Sequence, residues 1–255
     1  MSGGHFGYII HDGTSHWAKN VSDLRPGYQL EDHELPSPVL ITGISFEPKL
    51  VHQLAIWASV LGPDGIGLYD GENHLQRSDF TFPSLPEHIA SHDQMLEEPA
   101  PGMFLIGHTF RDEDFNGPPP VISQQVHPIL YGGIYMAANG RVKNFLDLWY
   151  HHLMESSMGL LPPTRDADVL IRLLHQFRDP EHVLGLCDMD NSWSVVYFDS
   201  NSGELHICVK DSPFFISEQE GTLYWCTREF PESAAFEGHM ILKPFTGFAV
   251  LEKSD

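Results

Sequence analysis

The chain predicts an α+β domain: packed sheets with helices on the outside. Three observations carry this. Apolar runs of strand length open the chain, two segments with helical spacing sit in its middle, and a series of strand-like runs closes it. At 255 residues with 42% hydrophobic content, the chain can fill a substantial core, and no internal repeat or clear linker divides it. Residues 1–255 therefore read as a single domain.

The elements follow in order. "HFGYIIHDG" (His5 to Gly13) reads as a first strand, and residues 14–37 as polar and irregular. "PVLITGISF" (Pro38 to Phe46) is a second apolar run. In "EPKLVHQLAIWASVLG" the apolar residues recur at helical spacing, with Pro48 in the first turn and Gly62 past the end. "GIGLYDG" is a short strand. Residues 79–101 are rich in Pro, Glu and His and read as a surface excursion, and "GMFLIGHTF" (Gly102 to Phe110) is strongly strand-like. "GPPP" must be a loop, since proline cannot donate to a ladder.

"GGIYMAANGRVKNF" (Gly132 to Phe145) then reads as a strand, a tight turn at Asn139-Gly140 and the start of a helix, "VKNFLDLWYHHLME". After Pro162-Pro163 comes a second amphipathic helix, "RDADVLIRLLHQF". "SWSVVYFD", "ELHICVK", "PFFISE", "TLYWCTRE" and "GFAVLE" read as successive strands, with Asn201-Ser202-Gly203 as a hairpin corner.

Composition limits the function classes. A formal net charge of −21 argues against nucleic acid and against an anionic membrane surface as partners. No run has the length of an apolar membrane span, and none resembles a signal peptide. The three cysteines, Cys187, Cys208 and Cys226, lie far apart in strand-like runs; they fit free thiols in a reducing cytoplasm and form no zinc-type pair. Sixteen histidines are many, but no His-Glu-x-x-His occurs, and the adjacent His151 and His152 point about 100° apart on a helix, so no shared metal is implied.

Six segments in order resemble the class II glutamine amidotransferases, a branch of the N-terminal-nucleophile hydrolases. "SGGHFGYI" resembles the family's opening Cys-Gly-Ile-Phe-Gly, and "LGPDGIGLY" its His-Arg-Gly-Pro-Asp-x-x-Gly. "IGHTFRDEDFNG" resembles Gly-His-Thr-Arg, "QVHPI" Asn-Ala-His-Pro, "AANGRVKN" His-Asn-Gly-x-Ile-x-Asn, and "RDADVL" Ser-Asp-Thr-Glu. The resemblance covers roughly the first two-thirds of the chain. It implies a four-layer αββα sandwich and hydrolysis of the glutamine side-chain amide to supply ammonia, with no cofactor and no metal.

In the family, the thiol of the first residue attacks the amide, and its own α-amine, titrating near pH ~8, serves as base. Carried over, Ser2 holds the nucleophile position if Met1 is removed, and Asn139 and Gly140 are the oxyanion donors. Arg111 is the carboxylate clamp, and Asp166 holds the substrate ammonium. Each residue also has a plainer reading. Asn139-Gly140 can be an ordinary turn, Arg111 a solvated charge beside Asp112, Glu113 and Asp114, and Asp166 a helix cap.

The departures are as informative. No cysteine stands near the start, and a serine alkoxide is far harder to form than a thiolate. Ser2 fits the nucleophile position only with a one-residue gap; without it Gly3 falls there. Ala138 replaces a His, Val60-Leu61 replace His-Arg, and Gln125 replaces an Asn. Phe110 intrudes before Arg111, which in a strand flips the arginine to the other face. Two functions stand open. One is an amidohydrolase using Ser2 and passing ammonia to a separate synthase. The other is a catalytically silent relative that binds a small amide or a protein partner, or regulates, through its acidic surface. A histidine-based metal hydrolase is a third.

Overall fold

The computed structural model describes residues 2–18, 44–61, 65–77, 103–111, 127–154, 165–219, 221–244 and 251–252. Strand β1 (Ser2–Ala18) organises the molecule because it belongs to two antiparallel sheets in succession. Its first half pairs with β5 (Phe104–Arg111) on one side and β11 (Thr222–Cys226) on the other. Its second half crosses to pair with β13 (Gly238–Pro244), after a shift of register between His11 and Ser15.

The first sheet is completed by β3 (Gly65–Tyr69) and β4 (His74–Arg77) beyond β5, and by β10 (Phe215–Gln219) and β12 (Ala234–Ala235) beyond β11. The second runs from β13 through β9 (Glu204–Lys210), β8 (Trp193–Asp199) and β7 (Ile134–Asn139) to β6 (Ile129–Tyr131). A separate parallel pair joins β2 (Ile44–Ser45) to β14 (Leu251–Glu252).

Period-two alternation sends successive side chains of β1 to opposite faces. Phe6, Tyr8 and Ile10 pack with Val51, Leu54, Ala55 and Ala58 of helix α1 (Pro48–Ser59). Ile9 lies on the other face, in a core shared with Val196, Ile207 and Met240 of the second sheet. The far face of that sheet offers Met136, Ala138, Val195 and Cys208 to the remaining helices. These are α2, which starts as α-helix over Phe145–Leu148 and continues as π-helix over Trp149–Leu153, then α3 (Asp166–Phe177) and α4 (Pro180–Leu186). Helix α3 buries Ala167, Val169, Leu170, Ile171, Leu173 and Leu174, the stripe its 3.6-residue spacing predicts.

Several elements differ from the sequence expectation. Residues 14–18, expected to be irregular, are strand, because β1 continues to Ala18 on its ladder with β13, and the rest of that stretch, to residue 37, lies outside the described residues. Strands β4, β6, β12 and β13 were not anticipated, nor was α4. Helix α4 is started by Pro180 at its first turn and by Asp179, whose side chain accepts the N–H of His182 at 3.0 Å. That helix places Cys187 at its C-cap instead of in a strand, half-buried, while Cys208 and Cys226 are buried in β9 and β11. Of "GFAVLE" only Leu251–Glu252 is described, as strand. The stretches 79–101 and 117–120 lie outside the described residues, as do Pro162-Pro163. Among the described residues no helix is long and apolar enough to cross a membrane.

Candidate functional site

The sequence motifs converge where β1, β5 and the end of β7 meet. Strands β1 and β5 pair with His5 opposite His108, Gly4 opposite Thr109 and Ser2 opposite Arg111. Local packing dictates much of "GHT". A Cβ on Gly107 would lie 2.3 Å from the Phe6 ring, so only glycine lets that ring reach the α1 face. Thr109 Oγ1 donates to the carbonyl of Ala58 at 2.8 Å and accepts the Gly4 N–H at 3.2 Å, locking both strands to the end of α1. Gly4 is itself constrained, since a Cβ there would stand 2.5 Å from the Ala58 carbonyl oxygen.

His108 reaches across to the second sheet. Its Nε2 donates to Oδ1 of Asn139 at 3.1 Å. One residue earlier, the Ala138 N–H donates to Nδ1 of His127 at 3.0 Å. The rings of His5 and His108 meet edge to face at 4.8 Å, and those of His108 and His127 lie 5.0 Å apart. All three rings are buried. Among the described residues, both nitrogens of His5, Nδ1 of His108, Nε2 of His127 and the hydroxyl of Ser194 find no hydrogen-bond partner. Burial, reinforced by the neighbouring His108, holds His5 and His127 well below the ordinary imidazole range. Burial also takes His108 down to about 4, against the opposing hydrogen bond to Asn139. The cluster is thus three neutral imidazoles at pH 7. Among the described residues, no group of three His, Cys, Asp or Glu is arranged to hold a metal ion.

The corner has the backbone its sequence implies. Gly140 has φ of 101°, and a Cβ there would lie 2.6 Å from Cβ of Trp193. Asp166 opens α3 and stabilises the chain just past the corner. Its Oδ2 accepts the Val142 N–H at 2.9 Å, and its Oδ1 accepts the Ala167 N–H at 2.9 Å. The carboxylate therefore serves the fold as well as lying near Asn139-Gly140.

The structure thus brings Asn139, Gly140 and Asp166 together, with the β1–β5 pair beside them. Ser2 and Arg111 are register partners, but alternation gives their positions the same parity as Gly4 and Thr109, on the α1 face. Gly3 and Phe110 take the parity of His5 and His108, the face toward Asn139. The histidine cluster was not anticipated. A signal for it existed, since His5, His108 and His127 each lie inside one of the quoted motifs; local spacing alone hid their convergence.

These features define an α+β domain of two antiparallel sheets with helices outside. No family model matches the chain, and no curated protein matches it in sequence. Among solved structures, glutamine phosphoribosylpyrophosphate amidotransferase from B. subtilis, complexed with ADP and GMP, superposes with a TM-score of 0.52 at 14% identity, over 88% of this chain and 41% of that one. A structure described as the allosteric regulatory enzyme of purine biosynthesis gives 0.52 at 15% identity, with the same coverages of 88% and 41%. The likeness is one of fold, and this chain spans about two-fifths of those proteins' length.

Proposed function

We propose that this chain is a class II glutamine amidotransferase-like domain of the N-terminal-nucleophile αββα type that keeps the family's amide-recognising corner while its hydrolytic machinery is altered. The observation that carries this reading is the meeting of β1, the Gly-His-Thr strand and the Asn-Gly corner at one buried cluster. The order of layers supports the same kinship. A carboxamide and a positive-φ glycine are the groups an amide oxygen or oxyanion needs. The register argues for altered chemistry, because the β1 residue with parity toward Asn139 is Gly3, which brings no nucleophile. The domain then binds glutamine or a related small amide and acts through a separate synthase or another protein partner.

The second reading, hydrolysis by Ser2, is favoured by the pairing of Ser2 with Arg111, which sets the two side by side at the end of the sheet. One experiment separates the two. The purified protein is given L-glutamine, ammonia release and binding are both measured, and the mass of the mature chain is determined. Binding without ammonia, weakened at least about tenfold (about 1.4 kcal/mol) by Asn139→Ala, is the expected result. Ammonia release that Ser2→Ala abolishes, from a chain lacking Met1, establishes the hydrolase instead. Absence of both binding and turnover sinks both readings.

A further inference from the structure

We infer that Arg165 and Asp168, at the start of α3, hold the α-carboxylate and the α-ammonium of a free amino acid beside the Asn139-Gly140 corner, in place of Arg111 and Asp166. That the amino acid is glutamine rests on the function proposed above; the two charged contacts do not.

Asp166 sets the place. Its two carboxylate oxygens accept the Val142 and Ala167 N–H groups, which ties the first residue of α3 to the chain two residues past Gly140. Arg165 is the N-cap just before it, with extended backbone (φ −139°, ψ 145°) and no side-chain cap bond. Its charge acts on His127, whose Nδ1 accepts the N–H of Ala138, the residue before Asn139. The guanidinium thus lies on the corner side of α3.

Other cations near the corner are already engaged or turned away. Lys143 pairs with Asp190 at 3.5 Å, and Arg178 with Asp199 at 2.5 Å. Arg172 lies 4.4 Å over the Tyr131 ring, and Arg141 is exposed. Arg111 has the parity of the α1 face. Arg165, by contrast, is half-buried and makes no hydrogen bond or ion pair among the described residues. Asp168, three residues on, is also half-buried and also makes neither. Burial works against both charges, lowering Arg165 and raising Asp168, and their mutual attraction opposes it. A guanidinium and a carboxylate that lose water without a direct partner are completed by a ligand of complementary charge. The planar fork of arginine matches a carboxylate, and the aspartate accepts from an ammonium. Residues three apart at a helix start face each other, so the two charges stand close together, as the two charges of an α-amino acid do on one carbon. A simple anion meets the repulsion of Asp168, which selects for the zwitterion. Asp166, with both oxygens on backbone N–H groups, is the positioning residue that sets this pair at the corner.

The test is titration calorimetry on the full chain with L-glutamine and three relatives. L-Glutaminamide lacks the carboxylate, glutaramate lacks the ammonium, and L-norvaline lacks the side-chain amide. Wild type should bind L-glutamine about tenfold or more tighter than L-glutaminamide or glutaramate. Arg165→Ala should weaken L-glutamine about tenfold or more and leave L-glutaminamide within about threefold. Asp168→Asn should weaken L-glutamine to a similar degree and spare glutaramate. A merely structural role for either residue weakens every probe alike, and that result overturns the assignment. So does L-glutamine binding that survives Arg165→Ala and is lost in Arg111→Ala, which leaves the proposed function standing. L-Norvaline bound in an Arg165-dependent way, with no binding of L-glutamine, overturns the proposed function and upholds the pair. Binding of no probe overturns both. If Arg165→Ala does not fold, Arg165→Gln, which keeps a donor and loses the charge, is read against the same probes.

Discussion

Acidifying the protein from pH 7 to pH 5 should cost it several kcal/mol of stability, and two separate histidine sites set the size of the loss. His108 lies between the sheets among His5, His127, Asn139 and Ser194, and burial lowers it from 6.5 to about 4. His239 lies in β13 and shares a 3.2 Å hydrogen bond with His206, beside Tyr197 and Glu204; burial and then His206 lower it to about 3. A histidine depressed in the folded state is protonated more readily when unfolded, so its contribution is intact above pH 6.5 and is lost as pH falls toward the folded value. Integrated to pH 5, each site loses about 2 kcal/mol, or roughly 4 kcal/mol together. His5 and His127 are depressed in the same sense and add to the loss. Asp168 and Glu181, raised mainly by burial, oppose it, but both remain partly solvated and offset only a fraction.

Urea unfolding followed by tryptophan fluorescence at both pH values measures the difference. With a slope of roughly 2–3 kcal/mol per molar, the midpoint should drop by about 1–2 M. Replacing His239 by Leu should remove about 2 kcal/mol of the pH dependence, less than half of the total. A midpoint equal or higher at pH 5 would refute the claim that these imidazoles are buried and neutral.

Two substitutions probe how the site is built. Gly140→Ala should lower stability by about 1–3 kcal/mol, because its φ of 101° and the nearby Trp193 Cβ both oppose a side chain; an unchanged unfolding midpoint would contradict this. Thr109→Val keeps the shape but strands the Gly4 N–H and leaves the Ala58 carbonyl with the Leu61 N–H alone, a cost of about 1–3 kcal/mol by urea unfolding. A loss below about 0.5 kcal/mol would mean that the hydroxyl does not hold β1 and β5 to α1.

Much of the fold was legible because periodicity is local. The spacing in "RDADVLIRLLHQF" matches α3 within a residue, and the runs at 193–199, 204–210 and 222–226 are strands. Misses occurred where a weak pattern depends on a neighbour. Polar Ser15 and His16 are strand because Leu242 and Ile241 pair with them, and the helical run from Phe145 becomes a π-helix at Trp149. Asn139-Gly140 was legible as a corner. Its partners were not, because residues 108 and 127 lie in other segments and nothing in local spacing ties them to residue 139.

By itself, the sequence determined the α+β class, the glycine-led corner at 139–140 and the segments from which the site is drawn. Those rest on turn chemistry and hydrophobic period, which act over a few residues. Only the tertiary structure decided that His5, His108 and His127 share one buried cluster, and that Gly3, not Ser2, has the parity of the face toward Asn139. Strand register and sheet-on-sheet packing settle both, and these join residues more than a hundred positions apart through contacts that exist only once the chain is folded.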